Sequence, residues 1–184
     1  MTRYIAFLRA INVGGHTVKM DALRAMFESL GFSNVETFIA SGNVIFETAS
    51  KDHKALEGRI EKKLKEVLGY EVITFVRTDA ELAAIANYKP FKKSELDAAG
   101  AFNVAFLTDP LDASSKKKLM TLKTNIDDFH THEREIYWLC LKRQSESTFS
   151  NVVFEKIVGR RTTFRGMNTI RKIVEKYPHT SSNG

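Results

Sequence analysis

The spacing of apolar and polar positions predicts six regular elements in the first part of the chain. Short apolar runs indicate strands. Apolar residues that recur every three or four positions indicate helices, and a glycine marks the end of each of these two helices. The elements are a strand at 3–9, a helix at 20–30, strands at 35–40 and 44–48, a helix at 56–67 and a strand at 71–77. This β-α-β-β-α-β order is typical of a ferredoxin-like unit.

The same order recurs after a short connection. Thr78 and Glu81 are spaced as a capping box that opens a helix, and residues 91–100 have the polar composition of a mobile linker. The later elements are a strand at 102–108, a helix bearing Leu119 and Leu122, strands at 129–132 and 136–141, a helix at 149–157, a short strand at 162–164 and a helix from Ile170 to Tyr177. The sequence therefore predicts an α+β fold of two ferredoxin-like units in tandem. Their predicted bounds are 1–77 for the first unit, 78–101 for a short helix and linker, and 102–184 for the second unit with a carboxyl-terminal helix.

Three of the predicted strands are apolar along nearly their whole length. They are Tyr4–Leu8, Val72–Val76 and Ile136–Leu141. A sheet with one face in water has strands that alternate apolar and polar residues, so continuous apolar runs predict burial on both faces. Either the other half of the chain or a second copy of it must cover these faces, which makes a homo-oligomer one of the two expected arrangements.

Composition narrows the class of protein. A single cysteine among 184 residues excludes an intramolecular disulfide and a cysteine-rich zinc site. No apolar run approaches the roughly 20 residues that span a bilayer, and the apolar stretch at 4–8 is too short for a signal peptide. We therefore expect a soluble, cytoplasmic protein with no membrane partner.

The net charge of +6 lies at the carboxyl end. Residues 142–184 carry nine basic and three acidic side chains, while the rest of the chain is balanced. This segment can attract nucleic acid by charge alone, or it can be the solvated surface of basic helices. The strand at 44–48 lacks the basic and aromatic pattern of an RNA-recognition motif, so specific RNA binding by the sheet is not expected.

A candidate ligand site follows from the predicted topology. In a ferredoxin-like unit the first two strands run parallel, so the loops that follow them lie at the same end of the sheet. Glycines and a nearby helix start allow backbone N–H groups to approach an anion, and Arg9 leads into the loop with Lys19 near the helix start. The residues expected to converge are Arg9, Asn12, Gly14, Gly15, His16, Ser41, Gly42 and Asn43. The alternative is that Ser-Gly-Asn is an ordinary hairpin turn and that the two glycines only shape a connection.

Arg165 and Asn168 form a second candidate cluster near the carboxyl end. Asn168, or Thr169 beside it, can instead be the N-cap of the last helix, whereas a cap does not require the guanidinium of Arg165.

Other polar residues give no recognised catalytic or metal-binding pattern. His130 and His132 share a strand face, but no third ligand stands at a recognised spacing. Asp127 and Asp128 are adjacent, so their side chains diverge on a strand. Cys140 lies in an apolar strand and is expected to be buried and inert. No cofactor and no metal are therefore predicted.

Three stretches closely resemble the bacterial family called domain of unknown function 1697. They are Tyr4-Ile5-Ala6-Phe7-Leu8-Arg9-Ala10-Ile11-Asn12-Val13-Gly14-Gly15, the Met20-x-x-Leu23-Arg24 helix start, and Thr37-Phe38-Ile39-Ala40-Ser41-Gly42-Asn43-Val44-Ile45-Phe46. The resemblance implies an α+β fold of ferredoxin-like units and no established activity, substrate or cofactor. The family's carboxyl-terminal motif reads roughly Thr-x-Arg-Asn-Trp-Asn-Thr. Here Gly166 and Met167 replace the Asn and Trp, which puts in doubt any ligand contact that this pair makes in relatives.

Three functional hypotheses remain from the sequence. The first is a non-catalytic binding module for an anionic or nucleotide-like ligand at the loop that contains residues 12–16. The second is an enzyme of unknown reaction that uses His16 in acid-base chemistry, since the ordinary pKa of histidine lies near neutrality. The third is an interaction module whose residues 142–184 bind nucleic acid by charge.

Overall fold

A computed structural model of the chain describes residues 1–12, 15, 17–39 and 42–181. By their contacts these residues form two compact units. The first comprises residues 1–85 together with the described residues from 171 onward, and the second comprises residues 86–170. The division expected from the sequence differs from this grouping chiefly in the carboxyl-terminal segment, which it assigned to the second unit.

The first unit is a four-stranded antiparallel sheet with helices. Its elements among the described residues are β1 (Thr2–Leu8), α1 (Met20–Glu28), β2 (Ser33–Thr37), β3 (Asn43–Thr48), α2 (His53–Leu68), β4 (Thr74–Thr78) and α3 (Asp79–Asn87), whose last two residues belong to the second unit. The strand order is β2-β3-β1-β4, and each neighbouring pair is antiparallel. Because β1 and β2 are both antiparallel to β3, they run parallel to each other, as the ferredoxin-like prediction requires.

Short local signals set the ends of these elements. Asp52 caps α2 by accepting a hydrogen bond from the backbone N–H of Ala55 at 3.1 Å, and Gly69 ends the helix in the left-handed conformation with φ of 82°. The predicted capping box at the start of α3 is confirmed. The Thr78 N–H donates to the Glu81 carboxylate at 2.8 Å, and the Glu81 N–H donates to the Thr78 hydroxyl at 3.1 Å.

Both faces of the first sheet are buried. Tyr4, Ala6 and Leu8 point from one face of β1 into a core shared with α1 and α2. Ile5 and Phe7 point from the opposite face, and their exposed fractions are 1% and 0%. The continuous apolar run in β1 therefore reflects burial on both sides, which confirms the prediction for this strand.

Glutamate side chains occupy the outer edge of β4. Alternate N–H groups of this strand point away from β1, and three carboxylates accept from them. Glu61 accepts from Thr74 at 2.9 Å, and Glu57, one helical turn earlier in α2, accepts from Val76 at 3.0 Å. Glu81 accepts from Thr78. Because these donors are used within the chain, β4 is a poor template for pairing with another strand.

The second unit repeats the same topology. Its elements among the described residues are α4 (Lys93–Ala98), β5 (Ala101–Phe106), α5 (Ala113–Met120), β6 (Asp127–His132), β7 (Glu135–Cys140), a 3-10 turn at Gln144–Glu146, α6 (Asn151–Val158), β8 (Thr163–Gly166) and the start of α7 (Met167–Lys176). The strand order β6-β7-β5-β8 is again antiparallel throughout. The expected α+β fold of two ferredoxin-like units with a carboxyl-terminal helix is confirmed. No helix in the described part of the chain is long and apolar enough to cross a membrane.

Two sequence expectations for this unit need correction. Residues 93–98, expected to be a mobile linker, form α4. Lys92 donates its N–H to the Glu95 carboxylate at 2.8 Å, and Lys93 pairs with Asp97 at 2.6 Å across one helical turn. The second correction concerns Leu141 alone. The apolar run predicted at 136–141 is buried on both faces from Ile136 to Cys140, where β7 ends, but Leu141 is 46% exposed.

The carboxyl-terminal segment groups with the first unit through Tyr177. Its hydroxyl donates to the Glu36 carboxylate at 2.5 Å, and its ring meets the Phe38 ring edge-on at 6.0 Å. Arg3 extends the contact by donating to the carbonyl of Pro178 at 3.3 Å. Burial of the phenol and the neighbouring Glu36 carboxylate both raise the pKa of Tyr177.

This raised pKa predicts how the Tyr177 contact depends on pH. The unfolded chain ionises Tyr177 near its ordinary pKa of about 10, before the folded chain does. The stabilisation is therefore fully present below pH about 10 and is lost as the pH rises through the higher folded value. We expect the difference in free energy of unfolding between wild type and Tyr177→Phe to decrease between pH 8 and pH 11, measured by urea unfolding at each pH. A difference that stays constant over this range would contradict the contact.

Candidate functional site

The end of β1 and the turn between β2 and β3 lie side by side. The Leu8 N–H donates to the carbonyl of Gly42 at 2.8 Å, and Phe7 is paired with Asn43 across the two strands. The end of β1 therefore lies beside Gly42 and Asn43, in agreement with the strand order; that the predicted site residues converge there stays a prediction. We call residues 9–12, 15, 17–19, 38, 39 and 42 the loop cluster.

The structure describes part of the predicted set. Gly14, His16 and Ser41 lie outside the described residues, so the predictions made for them stay predictions. Arg9, Asn12, Gly15, Gly42 and Asn43 are described and belong to the first unit or its loops.

Two hydrogen bonds fix the path of the chain as it leaves β1. The Arg9 N–H donates to the carbonyl of Ile73 at 2.8 Å, and its half-buried side chain follows directly after the strand. The Tyr70 hydroxyl donates to the carbonyl of Ile11 at 2.5 Å, while the Ile11 side chain is buried. These contacts hold the beginning of the loop and leave Asn12 exposed beyond it.

Both asparagines of the predicted site support the loops themselves. The Asn12 side-chain oxygen accepts from the N–H of Val18 at 2.9 Å, which closes the loop just before α1. Asn43 is 3% exposed, and its amide nitrogen donates to the carbonyls of Phe38 at 3.1 Å and Ile39 at 3.4 Å. The Asn43 amide hydrogens are therefore engaged within the turn.

Four of the nine residues with a positive φ in the described part of the chain lie in the loop cluster. Gly15 and Gly42 have φ of 81° and 106°, which glycine adopts without strain. Ala10 and Ile39 have φ of 49° and 52°, and this conformation is a genuine outlier for a β-branched residue. Ile39 is also 44% exposed, so burial does not compensate for its backbone energy.

The first turn of α1 lacks a side-chain cap. Lys19 occupies the N-cap position in an extended conformation and makes no capping hydrogen bond with its side chain. Three other helices, α2, α5 and α6, are capped by the side chains of Asp52, Asp112 and Ser150. Lys19 therefore leaves the first N–H groups of α1 without a cap from its own side chain, and it places a basic group at the positive end of the helix dipole.

Arg165 and Asn168 belong to the second unit. The Arg165 guanidinium donates to the carbonyl of Phe164 at 2.7 Å and to the Thr163 hydroxyl at 3.1 Å, and burial lowers its pKa to about 10. Asn168 is exposed in the first turn of α7, which begins at Met167. The suggestion that Asn168 or Thr169 is the N-cap is therefore wrong. Because β8 runs directly into α7, the helix begins at Met167, and both residues already lie inside its first turn.

The remaining polar candidates have structural partners. Tyr88 and His130 share a hydrogen bond of 2.8 Å between the hydroxyl and Nε2, and Tyr88 stacks on His132 at 4.1 Å. No group of three potential metal ligands occurs among the described residues. Cys140 is buried as expected, and burial raises the pKa of its thiol.

A pocket in the second unit was not predicted from the sequence. It is a depression of about 640 Å³ beside the start of α6, lined in part by Phe149, Ser150, Asn151, Val152 and Phe164. Its residues come from a loop, a helix start and an edge strand. These positions have no regular spacing in the sequence from which the pocket could have been predicted, although Ser150 is recognisable as an N-cap.

Comparisons with known proteins agree with this fold. A family model described as "Protein of unknown function (DUF1697)" matches residues 1–137. No curated protein matches the chain. The chain is similar to the solved structure of the conserved bacterial protein SP0830 from Streptococcus pneumoniae, with a TM-score of 0.66 and 22% sequence identity over 95% of this chain and 97% of that one. At this identity the likeness concerns the fold alone.

Proposed function

This chain belongs to the DUF1697 family of proteins of unknown function, and we propose that it is a non-catalytic binding module for an anionic or nucleotide-like ligand held at the loop cluster. The observation that carries the proposal is the hydrogen bond between Leu8 and Gly42, because it brings the loops after β1 and β2 together.

The chemistry of the loop cluster favours negative charge. Arg9 supplies a half-buried guanidinium and Lys19 an exposed ammonium, one on each side of the loop that precedes α1. The uncapped start of α1 adds N–H groups and the positive end of the helix dipole. A phosphate or carboxylate is the group that uses all of these donors together.

Backbone strain in the two loops supports the same proposal. A residue held in a sparsely populated conformation costs roughly 1–3 kcal/mol and persists only where its surroundings determine it. Ala10 follows β1 and Ile39 follows β2, so one strained residue stands in each of the two adjoining loops. Strain of this kind gathers at ligand sites, where it positions backbone groups in advance of binding.

Thermal denaturation with adenosine diphosphate, pyrophosphate and adenosine tests the proposal. A ligand that binds only the folded chain raises the melting temperature, so we expect a rise with the two charged probes and none with adenosine. Arg9→Ala should weaken binding of adenosine diphosphate about tenfold or more, since a charge-assisted hydrogen bond is lost.

The exposed Arg171 provides a control with the same change of charge. Arg171→Ala should leave binding of the charged probes unchanged, and Arg9→Lys should retain part of it. Equal losses in Arg9→Ala and Arg171→Ala, with an affinity for a DNA or RNA oligonucleotide that falls steeply with salt, would favour nucleic-acid binding by residues 142–184 instead. Turnover of a bound probe that is abolished by His16→Asn would favour the enzyme hypothesis. Absence of any shift with charged probes would reject the proposed site.

A further inference from the structure

The pocket beside α6, which we call the α6 pocket, presents apolar surface to solvent. Val152 in the first turn of α6 is 70% exposed, and the ring of the half-buried Phe164 lies 5.5 Å from that of Phe149. Gln144 and Ser145 contribute uncharged polar groups to the same wall. The volume of about 640 Å³ falls in the range of roughly 300–1,000 Å³ that is usual for binding sites. A large apolar group therefore gains free energy by leaving water for this depression.

Basic side chains stand next to residues that line the α6 pocket. Lys142 and Arg143 directly precede Gln144 in the chain. Lys156 follows Val152 by one turn of α6, so the two residues are neighbours on one side of the helix. The three basic residues are exposed, and their side chains form no ion pair within the described part of the chain. Their charge is therefore available to a ligand in the pocket.

The carboxylates of the same stretch do not cancel this charge. Residues 142–161 carry five basic side chains and two acidic ones, Glu146 and Glu155. The Glu146 carboxylate already accepts a backbone N–H at 3.0 Å in the 3-10 turn, and Glu155 is half-buried. Of the basic residues, Arg160 pairs with Asp112 at 3.9 Å. The surface around the α6 pocket thus keeps a positive net charge, which attracts acidic groups.

An acidic peptide with one apolar anchor matches both features of this surface. We infer that the α6 pocket docks an acidic segment of a partner protein, which inserts a large apolar side chain beside Val152 and places carboxylates against Lys142, Arg143 and Lys156. A buried anchor supplies most of the binding energy in such contacts, while the flanking charges increase the association rate and select the partner. This surface lies in the second unit and is separate from the loop cluster of the first.

The apolar part of the surface favours a peptide over a nucleic acid. Single-stranded nucleic acids bind by stacking bases on open aromatic faces along a basic groove. Phe149 is only 6% exposed, and the strongly exposed apolar side chain of the pocket is the aliphatic Val152. An aliphatic rim around a depression accommodates an inserted side chain better than a stacked base.

Titration of the full chain with a labelled synthetic peptide tests this inference. The peptide carries one tryptophan between two runs of glutamate, and its binding is measured by fluorescence anisotropy. Replacing the tryptophan by serine removes the anchor, and replacing the glutamates by lysine reverses the charge. We expect each change to weaken binding about tenfold or more. Binding of the original peptide should also weaken with increasing salt. In a two-dimensional NMR spectrum it should shift the amide resonances of residues 144–152 and 164.

Two pairs of matched variants locate the bound peptide. Val152→Ala should weaken binding of the tryptophan peptide about threefold or more, because the contact with the anchor is reduced. Val67→Ala, at an exposed position of α2 in the first unit, should leave it unchanged. Lys156→Glu should weaken binding about tenfold, whereas Lys62→Glu makes the same change of charge on the exposed side of α2 and should have no effect.

Several outcomes would overturn the inference. It fails if the serine peptide binds as tightly as the tryptophan peptide, if the two members of a variant pair behave alike, or if the shifted resonances lie outside the α6 pocket. A single-stranded oligonucleotide that binds more tightly than the peptide and loses affinity in Lys156→Glu would assign the surface to nucleic acid instead. A dimer seen by sedimentation that Val152→Ala dissociates would assign it to a second copy of this chain.

Discussion

Replacing Phe7 by alanine should lower the free energy of unfolding by about 3–5 kcal/mol, as is usual for loss of a fully buried phenyl ring. Phe7 is 0% exposed and lies in the centre of the first sheet, where β1 pairs with both β3 and β4. The substitution removes the transfer free energy of the ring and leaves a cavity that a four-stranded sheet cannot close by moving its backbone. Urea unfolding of the two proteins measures the difference.

The control for this experiment is Val67→Ala in α2. Val67 is 55% exposed, so its truncation should change the free energy of unfolding by less than about 0.5 kcal/mol. A loss for Phe7→Ala as small as that of the control would show that the second face of the sheet is not buried. The continuous apolar run of β1 would then need another explanation.

The fold could be predicted because its elements have strong local signals. The helix α2 shows apolar residues at helical spacing between Asp52 and Gly69, and both ends are marked by residues with a defined capping role. The helix α4 has no such signal. It has no buried residue, and its first turn depends on a hydrogen bond from the Lys92 N–H to Glu95. A helix without an apolar face leaves no periodicity to recognise.

The sequence did not predict that the carboxyl-terminal segment belongs to the first unit, and the reason differs from that for α4. The sequence shows an amphipathic helix that ends near Tyr177, and this pattern is the same whichever unit receives it. The choice depends on two residues that lie more than 130 positions away in the chain. Glu36 accepts a hydrogen bond from the Tyr177 hydroxyl, and the Phe38 ring contacts the Tyr177 ring. Such pairing is a property of the folded surface and has no local signature.

The candidate site was likewise predictable only in part. Adjacency of the loops after β1 and β2 follows from strand order alone, and the Leu8–Gly42 hydrogen bond agrees with it. The roles of Asn12 and Asn43 do not follow from strand order, because an asparagine amide can bind a ligand or its own loop. In both residues part of the amide is used within the loops. The orientation of each amide depends on the path of the loop, which residue types alone do not specify.

Asp127 shows how a residue with no expected role acquires one in the fold. Its adjacency to Asp128 predicts that the two side chains diverge, and they do. Asp127 is 2% exposed and accepts hydrogen bonds from Trp138 Nε1 and the Ser147 hydroxyl, both at 2.8 Å, and from the Thr124 hydroxyl at 3.0 Å. Asp128 instead pairs with Lys123 at 3.4 Å on the partly exposed side of β6.

Replacing Asp127 by alanine should therefore be as damaging as truncating a core aromatic residue. The Trp138 N–H is fully buried, so it would lose its acceptor with no access to water, and the Ser147 hydroxyl would lose the same oxygen. Each unsatisfied buried group costs about 1–3 kcal/mol, and we expect a total loss of about 3–5 kcal/mol in the free energy of unfolding.

Asp128→Ala is the matched control for Asp127→Ala, because it removes the same carboxylate group one residue away in the chain. Asp128 is partly exposed and its ion pair with Lys123 lies near the surface, so the loss should stay below about 1 kcal/mol.

The double variant Asp127→Ala with Trp138→Phe identifies the cause, since phenylalanine has no N–H to satisfy. If the indole donor is the main cost, Asp127→Ala should be less damaging in the Trp138→Phe background than in wild type. Equal losses in the two backgrounds would show that Trp138 does not depend on Asp127. Equal losses for Asp127→Ala and Asp128→Ala in the wild-type chain would show that burial of Asp127 has no energetic consequence.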